Sequence, residues 1–214
     1  MNAREKILAR IRSAQNNTTA GTHAETIASH LTRHPRGPLP RPPDSLVACF
    51  KERALKISSD VLETNNRMEV PTLLARYLRE RKLPMRGVCW PSLAGLPWSA
   101  AGLEMQSRPA KDHDLVGVTG AFCAIAETGT LMLLSGAETP STTSLLPETH
   151  VAVLDPRRIV ATMEDAWDLM RKEHQQPPRA VNFISGPSRT ADIEQTVTLG
   201  AHGPYRVLLI LAPP

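Results

Sequence analysis

The sequence predicts an α/β domain with a largely parallel sheet flanked by helices, preceded by an N-terminal helix on a proline-rich arm. Short apolar runs typical of buried strands alternate with amphipathic helical segments from residue 45 onward. Hydrophobic residues make up 41% of the chain and aromatic residues only 4%, so the core must be aliphatic. A chain of 214 residues can bury such a core in one or two domains. We expect an arm over residues 1–44 and a single α/β domain over residues 45–214.

The N-terminal segment predicts a short basic amphipathic helix over residues 3–14. Asn2 is a suitable N-cap residue with Glu5 three positions later, and Ile7 and Ile11 share one helical face. Packing on a protein surface is favoured over binding to a membrane surface, but both remain open. Residues 16–44 contain glycines and a cluster of prolines, which predict an extended linker.

The domain itself is expected to contain three main helices separated by strands and hydroxyl-rich loops. Pro71 fits the first turn of the second helix, and Trp98 is a candidate anchor for the loop around it. The helices are predicted over 45–56, 69–82 and 163–174. The strands are predicted over 57–64 (an edge strand), 87–90, 115–118, 122–126, 130–134, 150–155, 180–184 and 205–212.

Charge and cysteine content exclude several functional classes. Residues 1–60 carry ten Lys and Arg against five Asp and Glu, whereas the remainder carries fifteen against sixteen. The basic N-terminal quarter contains one aromatic residue, Phe50, so nucleic-acid binding is not expected. No membrane span and no signal peptide are predicted, and Cys49, Cys89 and Cys123 are too far apart for a disulfide framework. These features are typical of a cytoplasmic protein with reduced thiols.

Glu127 is the first candidate functional residue, because it is the one carboxylate in the apolar run from residue 115 to 134. It could act as a general base, a nucleophile or a group that orients a ligand. Thr128 and Thr130 would supply hydroxyls beside it, and Gly129 would let the backbone approach a ligand closely. The alternative is a glutamate that faces water in a turn, and the sequence position alone leaves the two equally weighted.

A second candidate site follows the strand over residues 180–184. A Gly/Ser turn leads to a helix predicted to start near residue 191, and a helix N-terminus suits a phosphate or carboxylate. Arg189 could grip such an anion with two hydrogen bonds. The alternative is a stiff turn in which Arg189 pairs with Asp192 or Glu194. The candidate ligand-binding residues are Ser185, Gly186, Ser188, Arg189 and Thr190.

No metal, redox centre or dinucleotide site is predicted. The chain lacks the HExxH and CxxC spacings, the Walker loop and the GxGxxG fingerprint. His202 lies between two glycines just before the last strand, where a histidine in a helix-terminating turn is the favoured interpretation.

Three segments together resemble the lactate-utilisation (LUD) domain family. They are AIAETGTLML, SLLPETHVAVL and FISGPSRTADIEQTVTLGAHGP, in that order, and the resemblance extends over about residues 45–214. It implies a fold of the NagB/RpiA/CoA-transferase type. It also implies a place in the system that oxidises L-lactate to pyruvate, beside two iron–sulfur partner proteins. Many relatives carry an arginine shortly before SLLP, whereas this chain has Ser141-Thr142-Thr143.

Two functional hypotheses of different class follow. In the first, the protein is an accessory component of lactate oxidation that binds a small anionic ligand near Glu127 and Arg189. In the second, it is a stand-alone CoA-transferase-like or sugar-phosphate-type enzyme that uses Glu127, an expectation that rests on fold analogy alone.

Overall fold

The computed structural model describes residues 2–14, 20–33, 36–38, 41, 43–174, 176–191, 197–200 and 202–214. The chain forms two compact units, Met1–Pro40 and Arg41–Pro214. The division at residue 44 that the sequence suggested stays a prediction.

The described residues of the first unit form the helices α1 (Ala3–Ala14) and α2 (Ala20–Arg33). The α1 helix is predicted correctly: the Glu5 amide donates to the Asn2 side chain, and the Asn2 amide donates to the Glu5 carboxylate, both at 2.9 Å. The expectation of an extended linker is wrong for residues 20–33, because the glycine in this stretch sits in the first turn of α2 and the prolines lie beyond its end. Within the described residues, no helix is both long and apolar enough to cross a membrane.

The second unit is built on a six-stranded sheet in the order β1-β12-β7-β4-β2-β3, and every neighbouring pair is parallel. The predicted α/β class with a largely parallel sheet flanked by helices is therefore confirmed, and the strand after the first domain helix lies at the sheet edge as expected. The strands are β1 (Asp60–Glu63), β2 (Arg86–Cys89), β3 (Glu104–Ser107), β4 (Val116–Gly120), β7 (Thr149–Leu154) and β12 (Arg206–Leu211).

A second sheet of four strands has the order β8-β5-β6-β9, with β5 (Cys123–Ile125), β6 (Thr130–Leu134), β8 (Ile159–Val160) and β9 (Val181–Ile184). The apolar run at residues 115–134 therefore divides between two sheets. A hairpin of β10 (Arg189–Ala191) and β11 (Val197–Leu199) follows. The helix expected from residue 191 is wrong at Ala191, because this backbone pairs with β11; residues 192–196 lie outside the described part.

Among the described residues of the second unit, four α-helices complete the fold: α3 (Leu46–Lys56), α4 (Val70–Glu80), the short α5 (Thr142–Leu145) and α6 (Met163–Glu173). Ser45 caps α3, Pro71 lies in the first turn of α4, and Thr162 and Asp165 form a capping box at α6. The α4 helix packs on one face of the main sheet. The α3 helix and the second sheet cover the other face, and α6 packs on the far side of the second sheet.

Candidate functional site

The two predicted site segments lie side by side in the structure. Strand β6 pairs with β9 so that Leu131 is opposite Ile184. This register places the turn before β6 next to the loop after β9, and the Thr130 and Ser185 hydroxyls are 3.0 Å apart. The two candidate segments, which were identified separately in the sequence, are therefore neighbours in the fold.

Glu127 contacts the start of helix α6. Its Oε1 accepts a hydrogen bond from the Met163 amide at 2.9 Å, and its own amide donates to the Ala161 carbonyl at 3.1 Å. A carboxylate at a helix N-terminus satisfies a free amide and is stabilised by the helix dipole. The half-buried Glu127 thus has a structural task, while the neighbouring Thr128 is exposed. A catalytic role for Glu127 stays a prediction.

Gly129 and Gly186 both lie against helix α3 and the residues that follow it. Their φ angles are +69° and +76°, in the left-handed region that favours glycine. A Cβ atom on Gly129 would lie 2.4 Å from the Ala54 amide nitrogen, and one on Gly186 would lie 2.3 Å from the Ile57 carbonyl oxygen. The close backbone approach expected at Gly129 is therefore made to a helix of the same chain.

Arg189 and Ser188 also form hydrogen bonds with residues of other segments of the same unit. The Arg189 guanidinium donates to the Ser58 hydroxyl and, at 3.5 Å, to the Ile57 carbonyl. The Ser188 amide donates to the Pro204 carbonyl at 2.9 Å. Thr190 lies in the hairpin, opposite Thr198. The free amides of a helix N-terminus, on which the anion site depended, are thus not formed at residues 189–191, and ligand binding by Arg189 stays a prediction.

A cavity of about 530 Å³ opens at the amino ends of β7 and β12, and we call it the amino-end cavity. Two separate segments line it, one running from α5 to β7 and one entering β12. Its lining residues are Leu145, Leu146, Glu148, Gly200, His202, Gly203, Tyr205 and Arg206. Ser188 borders this region, since a Cβ atom on Gly203 would lie 3.3 Å from the Ser188 Cβ.

Arg206 and His202 are the side chains of this cavity best suited to an anionic ligand. The Arg206 guanidinium lies 4.8 Å from the Tyr205 ring centroid, and its Nη1 is buried with no hydrogen-bond partner among the described residues. A buried donor without a partner is rare in native proteins and points to a ligand or water. His202 is exposed and follows strand β11, so the expectation that it ends a helix is wrong.

The sequence interpretation missed Glu148, Tyr205 and Arg206. A signal was present, because Glu148 belongs to SLLPETHVAVL and the other two directly follow FISGPSRTADIEQTVTLGAHGP. The convergence of these motifs depends on the parallel pairing of β7 with β12, which places Arg206 opposite Thr149.

His150 is a polar residue of the core beneath this region. Its Nε2 lies 2.8 Å from the Thr119 hydroxyl, and its side chain is completely buried. Burial lowers the pKa of His150 to about 4, so the imidazole is neutral at pH 7. Among the residues that the structure describes, no group of His, Cys, Asp and Glu side chains is arranged to hold a metal ion.

The parallel main sheet, the second mixed sheet and the amino-end cavity define a two-sheet α/β protein. The LUD domain matches residues 107–212. Lactate utilization protein C from Bacillus subtilis is 30% identical over 190 residues, which cover 78% of each chain. The chain therefore belongs to the LUD-domain family, as the sequence motifs indicated.

Two further similarities agree with this assignment. Lactate utilization protein C from Anoxybacillus flavithermus is 38% identical over 102 residues, which cover 48% of this chain and 46% of that protein. Among solved structures, a DUF162 family protein from Deinococcus radiodurans matches with a TM-score of 0.60 and 26% identity, covering 82% of this chain and 99% of that one.

Proposed function

We propose that this protein is a component of lactate utilization that binds a small carboxylate in the amino-end cavity. The role is supported by relatives named lactate utilization protein C, one of which aligns over 78% of this chain. The ligand class is supported by one structural observation. Two distant segments converge on a cavity that contains His202 and Arg206, whose Nη1 has no partner in the described part of the chain.

The chemistry of the cavity suits a 2-hydroxy or 2-oxo acid. A guanidinium can bind a carboxylate through two parallel hydrogen bonds. The His202 imidazole can form a hydrogen bond with a ligand hydroxyl or carbonyl oxygen, and Glu148 can accept a hydrogen bond from a ligand hydroxyl. Leu145 and Leu146 offer an apolar surface for a methyl group. L-lactate would use each of these groups, and pyruvate, which has no hydroxyl, would use all except Glu148.

The family resemblance supports a further part of the proposal. The protein works in the cytoplasm beside iron–sulfur partner proteins, which carry the electrons of lactate oxidation. In this accessory role it binds or presents the acid while the partners oxidise it. The alternative, a stand-alone CoA-transferase-like enzyme that uses Glu127, would rely on a carboxylate whose Oε1 already accepts a hydrogen bond from the Met163 amide.

Isothermal titration with L-lactate and with pyruvate tests the ligand assignment. We expect His202→Ala and Arg206→Lys to weaken binding about tenfold or more, because the first removes a proton donor and the second keeps the charge without the guanidinium fork. His113→Ala is the matched control, since His113 is exposed and lies outside the amino-end cavity.

Growth on L-lactate tests the role. A strain that lacks the gene should recover when it carries the wild-type or His113→Ala gene, but not the His202→Ala gene. Equal affinity and equal growth for all of these proteins would contradict the proposal at the amino-end cavity.

A further inference from the structure

A second concave site lies at the opposite end of the main sheet, and we call it the carboxyl-end cleft. It has a volume of about 470 Å³, and Trp90, Gly120 and Asp155 line it where β2, β4 and β7 end. Strands β2 and β4 are neighbours in the sheet. The strand that follows β2 in sequence, β3, lies on the side of β2 away from β4, whereas the strands β7 and β12 lie on the side of β4 away from β2. The cleft thus lies at the point where the strand order reverses, and open α/β sheets bind ligands there.

The charge of this cleft favours an anion. Arg67 lines it, is half-buried, and makes no side-chain hydrogen bond or ion pair with the part of the chain that the structure describes. Asp155 does not neutralise it, because its carboxylate accepts hydrogen bonds from the Arg157 amide at 3.0 Å and guanidinium at 2.8–3.1 Å. These contacts also hold the pKa of Asp155 below its usual range. A cation without a partner therefore faces the cleft.

The cleft has room for a ligand larger than lactate. A water molecule takes about 30 Å³ in the liquid, so a six-atom ligand needs at most roughly 180 Å³ even at that loose density. The cleft volume of about 470 Å³ is more than twice as large. It falls in the range of about 300–1,000 Å³ that is typical of sites for larger organic ligands.

The walls of the cleft favour a ligand with a flat apolar body. The Trp90 ring lies in the wall, held by its Nε1–H, which donates to the Pro140 carbonyl at 3.2 Å. Trp90 is 5% exposed, so its ring forms a small part of the wall, and a Cβ atom on Gly120 would lie 3.7 Å from it. The other apolar lining residues are Ala121, Phe122, Leu134, Val153 and Pro178. A ligand that packs an aromatic ring against this wall and places an anionic group on Arg67 has the features of a nucleotide.

We propose that the carboxyl-end cleft binds a mononucleotide, with its phosphate on Arg67 and its base against the wall that contains Trp90. This site is separate from the amino-end cavity, so the proposal does not depend on lactate binding. A nucleotide bound in the carboxyl-end cleft would be a second ligand of this lactate-utilization component. The nucleotide concentration could then regulate the protein.

Titration of the full-length protein with AMP, adenosine and inorganic phosphate tests the proposal. We expect AMP to bind, and Arg67→Ala to weaken AMP binding at least tenfold while adenosine binding stays unchanged. Arg67→Lys should recover part of the affinity. Arg76→Ala is the control for the loss of one positive charge, because Arg76 is exposed on α4 and outside the cleft.

Three outcomes would overturn the proposal. The first is no binding of AMP to the wild-type protein, and the second is equal AMP affinity for Arg67→Ala and Arg76→Ala. The third is competition between AMP and L-lactate that Arg67→Ala abolishes, which would make the cleft the lactate site. His202→Ala should leave AMP affinity unchanged, so failure here and failure at the amino-end cavity are distinguishable.

Discussion

Replacement of Glu127 separates its structural task from its predicted catalytic role. The carboxylate accepts the Met163 amide at 2.9 Å, at the first residue of helix α6. Glu127→Gln keeps an oxygen that can accept this bond but removes the charge beside the helix dipole. Glu127→Ala removes both. We therefore expect a graded loss of stability across the two variants.

The magnitudes follow from the two interactions. A charge at a helix N-terminus is worth about 0.3–1 kcal/mol, and a hydrogen bond to a charged group about 1.5–3 kcal/mol. In a protein of this size, 1 kcal/mol shifts Tm by about 2–4 °C. Glu127→Gln should then lower Tm by about 1–4 °C and Glu127→Ala by about 3–12 °C. The capping box of Thr162 and Asp165 remains in both variants, so α6 itself should persist.

Thermal unfolding followed by circular dichroism measures these shifts, and Thr128→Ala is the control from the same turn. Wild-type Tm in both Glu127 variants would refute the structural argument. A Glu127→Gln protein of wild-type stability that fails to support growth on L-lactate would instead support the predicted catalytic role.

Further predictions concern the core, one ion pair and the colour of the protein. Gly129→Ala should lower the free energy of unfolding by more than the about 1–2 kcal/mol that left-handed backbone costs a residue with a Cβ atom. The reason is that the new Cβ atom would also lie 2.4 Å from the Ala54 amide nitrogen. Urea unfolding measures this loss. Burial lowers the pKa of His150 from 6.5 to about 4 in the folded protein. Between pH 4 and pH 6.5 the unfolded chain therefore binds a proton at His150 that the folded chain does not bind. Stability should be intact above pH 6.5 and fall by about 3 kcal/mol towards pH 4, and urea titrations of His150→Gln should lack most of this slope. Arg108→Ala leaves the buried Asp114 carboxylate without its two guanidinium bonds and should cost about 1–3 kcal/mol in chemical unfolding. The purified protein should be colourless and contain no stoichiometric iron by elemental analysis, because the three cysteines are far apart in sequence.

Local signals predicted most elements of the second unit. Helix α3 begins after a serine cap, α4 carries a proline in its first turn, and α6 begins with a capping box. Each of these signals can be recognised within about four residues of sequence. The buried strands are apolar runs bounded by turns, so their existence was clear. The prediction failed at α2, because a glycine in its first turn and the prolines beyond its end obscured the helix.

Contacts between distant segments could not be predicted in the same way. The division of residues 115–134 between two sheets depends on which strands pair, and a periodic pattern does not encode pairing. The glycine at 129 suggested that its backbone is closely approached, but not that helix α3 of the same chain makes the approach. Likewise, the arginine at 189 suggested an anion, while the structure gives it the carbonyl of Ile57 and the hydroxyl of Ser58.

The lining of the amino-end cavity was partly within reach of the sequence. Its residues lie in or beside the motifs that carry the family resemblance, but only the parallel register of β7 and β12 places them together. The carboxyl-end cleft required the strand order as well, because no motif marks Arg67 or Trp90.

Strand β7 begins beside the amino-end cavity, after Glu148, and ends beside the carboxyl-end cleft, before Asp155. Its six residues span about 20 Å at roughly 3.3 Å per residue. At that separation, the free-energy effects of independent substitutions usually add. A protein with both His202→Ala and Arg67→Ala should therefore lose lactate affinity as His202→Ala does and AMP affinity as Arg67→Ala does, and any further change in either affinity would measure energy that passes along the strand.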